Sequence, residues 1–118
     1  MRFDTALVVD DEPATRAVLR HILELSGLRV FEAENVRDGL ARAHSEAPDL
    51  VLTDIRMPGT SGAEMASRMR QDPELAETTI VAVTYHPEDV RRKAHLFDLV
   101  MPKPVSVSHL RAWLRGEG

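Results

Sequence analysis

The chain has no cysteine, so neither disulfides nor a thiolate metal site is open to it. It has no basic excess either. Its 15 Lys and Arg against 19 Asp and Glu give a net charge of −4, which offers no electrostatic footprint for nucleic acid. No apolar run approaches the roughly 18 residues that a membrane-spanning helix needs, and no signal peptide precedes the first apolar run. A cytoplasmic protein without membrane or direct nucleic-acid contact is expected. Repeats, linkers and low-complexity segments are missing as well. The five histidines (His21, His44, His86, His95, His109) lack i, i+4 ligand spacing and read as surface or satisfied core residues.

What is present is an ordinary globular composition. The 118 residues, 43% apolar and 29% charged, suit one domain over residues 1–118 with a core that needs no staples. Short apolar runs alternate with helical patterns. Thr5 to Val9 leads into Asp10-Asp11-Glu12, and Pro13 suits a first helical turn. Val18, Leu19, Ile22, Leu23 and Leu25 follow helical spacing up to Ser26-Gly27. Leu28 to Ala33 reads as a second strand, and Asn35 as the N-cap of a helix with Val36, Leu40 and Ala43 inward. Leu50-Val51-Leu52 is a third strand, ending on Asp54. Ser61 and Glu64 form a capping-box pair before Met65, Ala66 and Met69.

Thr79 to Thr84 is a fourth strand, Pro87 to Leu96 a short helix, and Leu99 to Met101 a minimal fifth strand. A last helix starting near Ser106 or Ser108 is expected to bury Leu110, Trp113 and Leu114. Such alternation predicts an α/β fold. The expected form is a doubly wound five-stranded parallel sheet, flavodoxin-like (β/α)5, with strand order 2-1-3-4-5.

In a parallel sheet all strand carboxyl ends share one edge. The first strand brings Asp10 and Asp11 there, the third Asp54, the fourth Thr84 and the fifth Lys103. Three carboxylates held together repel, and a divalent cation relieves that repulsion. All-oxygen ligation with room for water suits Mg2+, with Mn2+ as the alternative. Thr84 and Lys103 add a hydroxyl donor and a point charge, groups that grip phosphate oxygens.

The motifs Leu7-Val-Val-Asp10-Asp11-Glu12, Asp54-Ile-Arg-Met57-Pro58-Gly59 with Gly62, Val83-Thr84 and Lys103-Pro104 run in this order along the whole chain. In them the sequence resembles the response-regulator receiver domain of two-component signalling. The resemblance implies that Asp54 is the phosphoacceptor, and that Asp10, Asp11, Asp54 and the backbone carbonyl of Arg56 hold Mg2+. It implies that Thr84 and Lys103 bind the phosphoryl group and that the Lys103–Pro104 peptide is cis. It implies a phospho-switch, not an enzyme acting on other molecules. It implies that a sensor histidine kinase or phosphotransfer protein supplies the phosphoryl group, and that an output partner, which the sequence does not name, reads the result.

The chain departs from that family's pattern at several places. An aromatic residue is usual three positions before the lysine, and here Val100 stands there. A small residue is usual after the threonine, and here Tyr85 stands there. The segment from Thr84 to Lys103 is about three residues shorter than usual, and Leu96-Phe97 replaces a Gly-Ala turn. Tyr85 is expected to take over the gating of the missing aromatic, with room left for it by Val100. His86, two residues past Thr84, lies where the family tunes hydrolysis. Arg91-Arg92-Lys93, beside Glu88 and Asp89, reads as a solvated helix face.

Two other functions use parts of the same pattern. A receiver-like interaction module would keep the fold without the chemistry. A Mg2+-dependent phosphatase with an aspartate nucleophile would need a second Asp two residues later, where this chain has Arg56.

Overall fold

Both faces of every inner strand are apolar, and that decides the architecture. In the computed structural model, which describes residues 2–117, β1 (Thr5–Val9), β2 (Arg29–Ala33), β3 (Leu50–Thr53), β4 (Thr79–Thr84) and β5 (Leu99–Pro102) form one parallel sheet. The order is β2-β1-β3-β4-β5, as the alternation predicted. Side chains alternate across the sheet. Ala6, Val8, Leu50, Leu52, Val81 and Val83 enter one core layer, while Leu7, Val9, Val51 and Ile80 enter the other.

Helices α1 (Pro13–Leu25) and α4 (Val107–Leu114) cover the first layer; α2 (Val36–Glu46) and α3 (Gly62–Gln71) cover the second. Three of the helix starts are capped as their sequences imply. Asn35 Oδ1 accepts from Asp38 N at 2.8 Å, Ser61 Oγ from Glu64 N at 3.2 Å, and Ser106 Oγ from His109 N at 3.2 Å. Glu64 pairs along the helix with Arg68 at 3.2 Å.

The helical spacing in α1 holds, but packing is more selective than the apolar pattern, and the expected burial of Trp113 is corrected. In α1, Leu19, Ile22 and Leu23 are buried, but Val18 and Leu25 are exposed. At 100° per residue they fall on the flank of the buried stripe, turned away from Leu19 and Leu23. Trp113 is only half-buried; it stacks on Phe3 at 5.5 Å with the Arg2 guanidinium 4.8 Å from its ring.

The segment Pro87–Leu96 is a 3-10 helix with a break in helical backbone at Lys93. A 3-10 helix rises about 2.0 Å per residue against about 1.5 Å for an α-helix, so a shortened connection still reaches from β4 to β5. Among the described residues, no helix is long and apolar enough to cross a membrane.

Candidate functional site

The sheet brings five side chains to one edge through its backbone register. Asp10 N donates to Ala33 O, Asp54 N to Val9 O at 2.9 Å, and Lys103 N to Thr84 O at 2.9 Å. Each bond extends a strand pairing by one step, so the residue after each strand is held as firmly as the strand itself. Gly62 makes the close packing behind Asp54 possible. A Cβ there would stand 1.9 Å from Asp54 O and 2.8 Å from Thr53 Oγ1.

Asp10, Asp54, Thr84 and Lys103 are buried, and Asp11 is exposed. Carboxylate oxygens of Asp10, Asp11 and Asp54 lie within 4.8 Å of one another. The Lys103 ammonium donates to Asp10 Oδ2 at 2.8 Å and stands 3.4 Å from Asp54 Oδ2 and 3.7 Å from Glu12 Oε1. Asp10 Oδ1 accepts from Glu12 N at 2.9 Å, and Asp54 Oδ1 from Ile55 N at 2.8 Å. Thr84 Oγ1 accepts from His86 N at 3.0 Å, which leaves the hydroxyl proton free to donate. The Lys103–Pro104 peptide is cis.

The charges do not balance. Burial, and then the neighbouring charge of Asp10, push the Asp54 carboxyl above the usual range, while Lys103 and the Ile55 N–H pull it back only in part. Burial works against the Lys103 charge, but the bond to Asp10 and the charges of Asp10 and Asp54 outweigh it, and its pKa is raised. A cluster of carboxylates with one buried ammonium has negative charge to spare. Its donors are all oxygens, and one of them, Asp11, faces solvent. That donor set fits a hard divalent cation of the Mg2+ kind.

The cavity over these residues is also lined by Arg56, Tyr85 and His86. Three features of it were not visible in the sequence. Arg56 forks onto Asp89, with Nε 2.5 Å and Nη2 3.2 Å from the two carboxylate oxygens, across 33 positions of chain. Asp89 is therefore not simply part of a solvated face. The Tyr85 ring lies over Lys103, 5.1 Å from its ammonium, and is exposed. It does not fill space beside Val100, which packs with Ile55, Ala82 and Val90. Tyr85 follows the inward Thr84 by one residue and so leaves the strand on the opposite face. The third is Glu12, which completes the ring of carboxylates around Lys103. The His86 ring stands 3.3 Å from Glu88 Oε1, and His44 is 3.1 Å from Asp72. Neither joins the carboxylate cluster.

A family model described as the response regulator receiver domain matches residues 6–115. The phosphate regulon transcriptional regulatory protein PhoB of Pseudomonas aeruginosa is 36% identical over 97% of this chain; the match covers 53% of PhoB, so the chain spans about half the length of that relative. The solved chemotaxis response regulator CheY4 of Vibrio cholerae is similar with a TM-score of 0.88 at 25% identity, over 98% of this chain and 99% of that one. The response regulator TrrA of Thermotoga maritima, solved in complex with Mg2+–BeF, is similar with a TM-score of 0.86 at 30% identity, over 98% and 99%.

Proposed function

The chain belongs to the response regulator receiver domain family, and from that premise we propose that it is a phospho-switch whose acceptor is Asp54. One observation carries the reading. A buried strand-end carboxylate stands 3.4 Å from an ammonium and within 4.8 Å of two further carboxylates, on the wall of an open cavity.

The chemistry follows from the partners of each atom. Asp54 Oδ1 is held by Ile55 N–H, so Oδ2, on the Lys103 side, is the oxygen that attacks. It forms a P–O bond as the P–N bond of a phosphohistidine on a sensor kinase or phosphotransfer protein breaks. The leaving imidazole keeps the electron pair and takes its proton from solvent. Lys103 and the Thr84 hydroxyl receive the transferred oxygens, which makes catalysis a matter of position and charge. Asp10, Asp11, Asp54 and the Arg56 carbonyl would hold Mg2+, and Mn2+ is the second cation such a set accepts. When bound, the ion supplies neutralisation of charge on the phosphoryl oxygens.

The product adds roughly −1.5 to −2 charges to a site already rich in carboxylates. Thr84 and the loop after it are drawn toward the new charge, and an output partner reads the altered surface. Water resets the switch, releasing inorganic phosphate and restoring the carboxylate. The protein thus catalyses only its own phosphorylation and slow dephosphorylation, in the cytoplasm. Arg56 stands where an aspartate-nucleophile phosphatase needs its acid/base, which disfavours that alternative.

Incubation with acetyl phosphate and Mg2+ tests the reading. Wild type should form hydroxylamine-labile phosphate, and Asp54→Asn should form none. Asp11→Asn, at an exposed position, should keep its stability within about 0.5 kcal/mol but lose phosphorylation. Labile phosphate on Asp54→Asn would move the acceptor elsewhere.

A further inference from the structure

The 3-10 helix Pro87–Leu96 is thinly held. Only Val90 is buried, and 3-10 runs of this length are uncommon because their hydrogen-bond geometry is poor. Two arginines tie it down. Arg70 Nε donates to Leu96 O at 3.1 Å near its end, and Arg56 grips Asp89 in its first turn with Nε at 2.5 Å and Nη2 at 3.2 Å. Arg56 also lines the cavity that holds Asp54, Thr84 and Lys103. Arg56 therefore stands between two anion positions: its guanidinium is on the carboxylate of Asp89, and the residue borders the cavity above Asp54.

We propose that Arg56 is a further phosphoryl-binding residue, which Asp89 holds in the unphosphorylated protein and which exchanges to the phosphoryl oxygens once Asp54 is modified, freeing the 3-10 helix. The proposal rests on Asp54 being the phosphoacceptor. The exchange is favoured by charge and geometry together. Asp89 offers one negative charge on two oxygens, whereas the phosphoryl group offers roughly −1.5 to −2 on three, and the planar fork of Arg matches either. The resting pair is exposed, so leaving it costs little. The gain is larger, since Lys103 is the one buried cation among the described residues and is already shared by Asp10 and Asp54.

The departure of Arg56 removes the N-terminal tie of the helix and leaves Val90, Leu96 and Arg70 to hold it. This gives the phosphoryl group a route to the surface that needs no swinging aromatic at Val100. It also uses a charge, Asp89, that lies within the helix it releases.

Beryllofluoride with Mg2+, as a phosphoryl analogue on the full chain, tests this directly. Arg56→Gln should bind it more weakly, by up to about tenfold, the range of a charge-assisted hydrogen bond, and Asp89→Asn more tightly by up to about fivefold, the range of an exposed ion pair. The double variant should match Arg56→Gln, and Arg56→Lys should recover part of the loss. In amide hydrogen exchange, residues 87–96 should be protected in unmodified wild type, and less protected in Asp89→Asn, in Arg56→Gln and in beryllofluoride-saturated wild type. Equal beryllofluoride affinity in wild type and Arg56→Gln overturns the proposal, and so does unchanged exchange on saturation. If wild type still forms hydroxylamine-labile phosphate, those results overturn the role of Arg56 alone. If it forms none, the phosphoacceptor reading falls and this proposal falls with it.

Discussion

Lys103 is bonded to Asp10 at 2.8 Å and stands off from Asp54 at 3.4 Å, so the buried ammonium neutralises the metal-site carboxylate more closely than the proposed acceptor. Lys103 thus shares Asp10, one of the three clustered carboxylates. The same ammonium is near enough to Asp54 to meet a transferred oxygen.

Removal of that charge should separate the two roles. Lys103→Met leaves Asp10 buried without its partner, and stability in metal-free buffer should fall by roughly 3 kcal/mol. Mg2+ should then bind several-fold more tightly, because the competing charge is gone, and should restore much of the lost stability. Phosphorylation by acetyl phosphate should nonetheless become slower. Calorimetric Mg2+ titration beside thermal melts checks this. Weaker Mg2+ binding in the variant would mean that Lys103 organises the carboxylates and does not compete for them.

Asp54 should cost the metal-free protein stability. Its folded pKa is raised, so the native state binds more protons than the unfolded state between the two values. Its contribution is fully present below the unfolded value of about 3.9 and is lost as pH rises through the folded value. At neutral pH Asp54→Asn should therefore melt above wild type. The gap should close below about pH 4, and Mg2+ should narrow it at pH 7. A variant that melts lower at pH 7 than wild type would show that the Ile55 N–H and Lys103 more than compensate the buried charge.

The part of this molecule legible from sequence is the part dictated by short-range pattern. Leu50-Val51-Leu52 suits a strand covered on both faces, and such strands in parallel bring Asp10, Asp11, Asp54, Thr84 and Lys103 to one edge. The Arg56–Asp89 fork is of another kind. It joins a loop residue to a helix residue across 33 positions, and no periodicity marks either one. The sequence puts Tyr85 on the loop after Thr84, but its ring lies beside Val18, Leu19 and Val105, on the face of the sheet away from Val100. Its direction depends on the parity of the strand that ends at Thr84, and parity is read only once the register is known. Val18 and Leu25 fit a helical spacing with Ile22, yet the sheet meets α1 on the side of Leu19 and Leu23.

Gly62 should tolerate no side chain. A Cβ would overlap Asp54 O at 1.9 Å, and the obstacle is backbone held by the sheet, so the start of α3 must back away. Gly62→Ala should lose about 3 kcal/mol, seen as a fall in melting temperature of roughly 10 °C. Because the strain is applied to the Asp54 peptide, acyl phosphate should also form more slowly in the fraction that remains folded. Denaturant titration and a phosphorylation time course test the two effects separately. A near-neutral substitution would mean that α3 shifts freely.

Tyr85 should act on the site through Lys103 and not through Val100. Its ring lies 5.1 Å from the ammonium, on the wall shared by the Asp54 cavity and a neighbouring groove lined by Val18, Leu19 and Val105. The face of the ring covers the ammonium on the open side, and a small phosphodonor or water must displace it to reach the site. A cation–π contact at an exposed position is worth about 0.5–1 kcal/mol, or roughly a two- to fivefold change in rate. Tyr85→Ala should therefore speed both acyl-phosphate formation from acetyl phosphate and its loss, by about that factor. Tyr85→Phe keeps the ring and should behave as wild type in both. The hydroxyl would be implicated if Tyr85→Phe matched Tyr85→Ala. The decisive measurement is the pair of rates in Tyr85→Ala: if neither rises, the ring over Lys103 is no screen, and the exposed aromatic is only part of the surface.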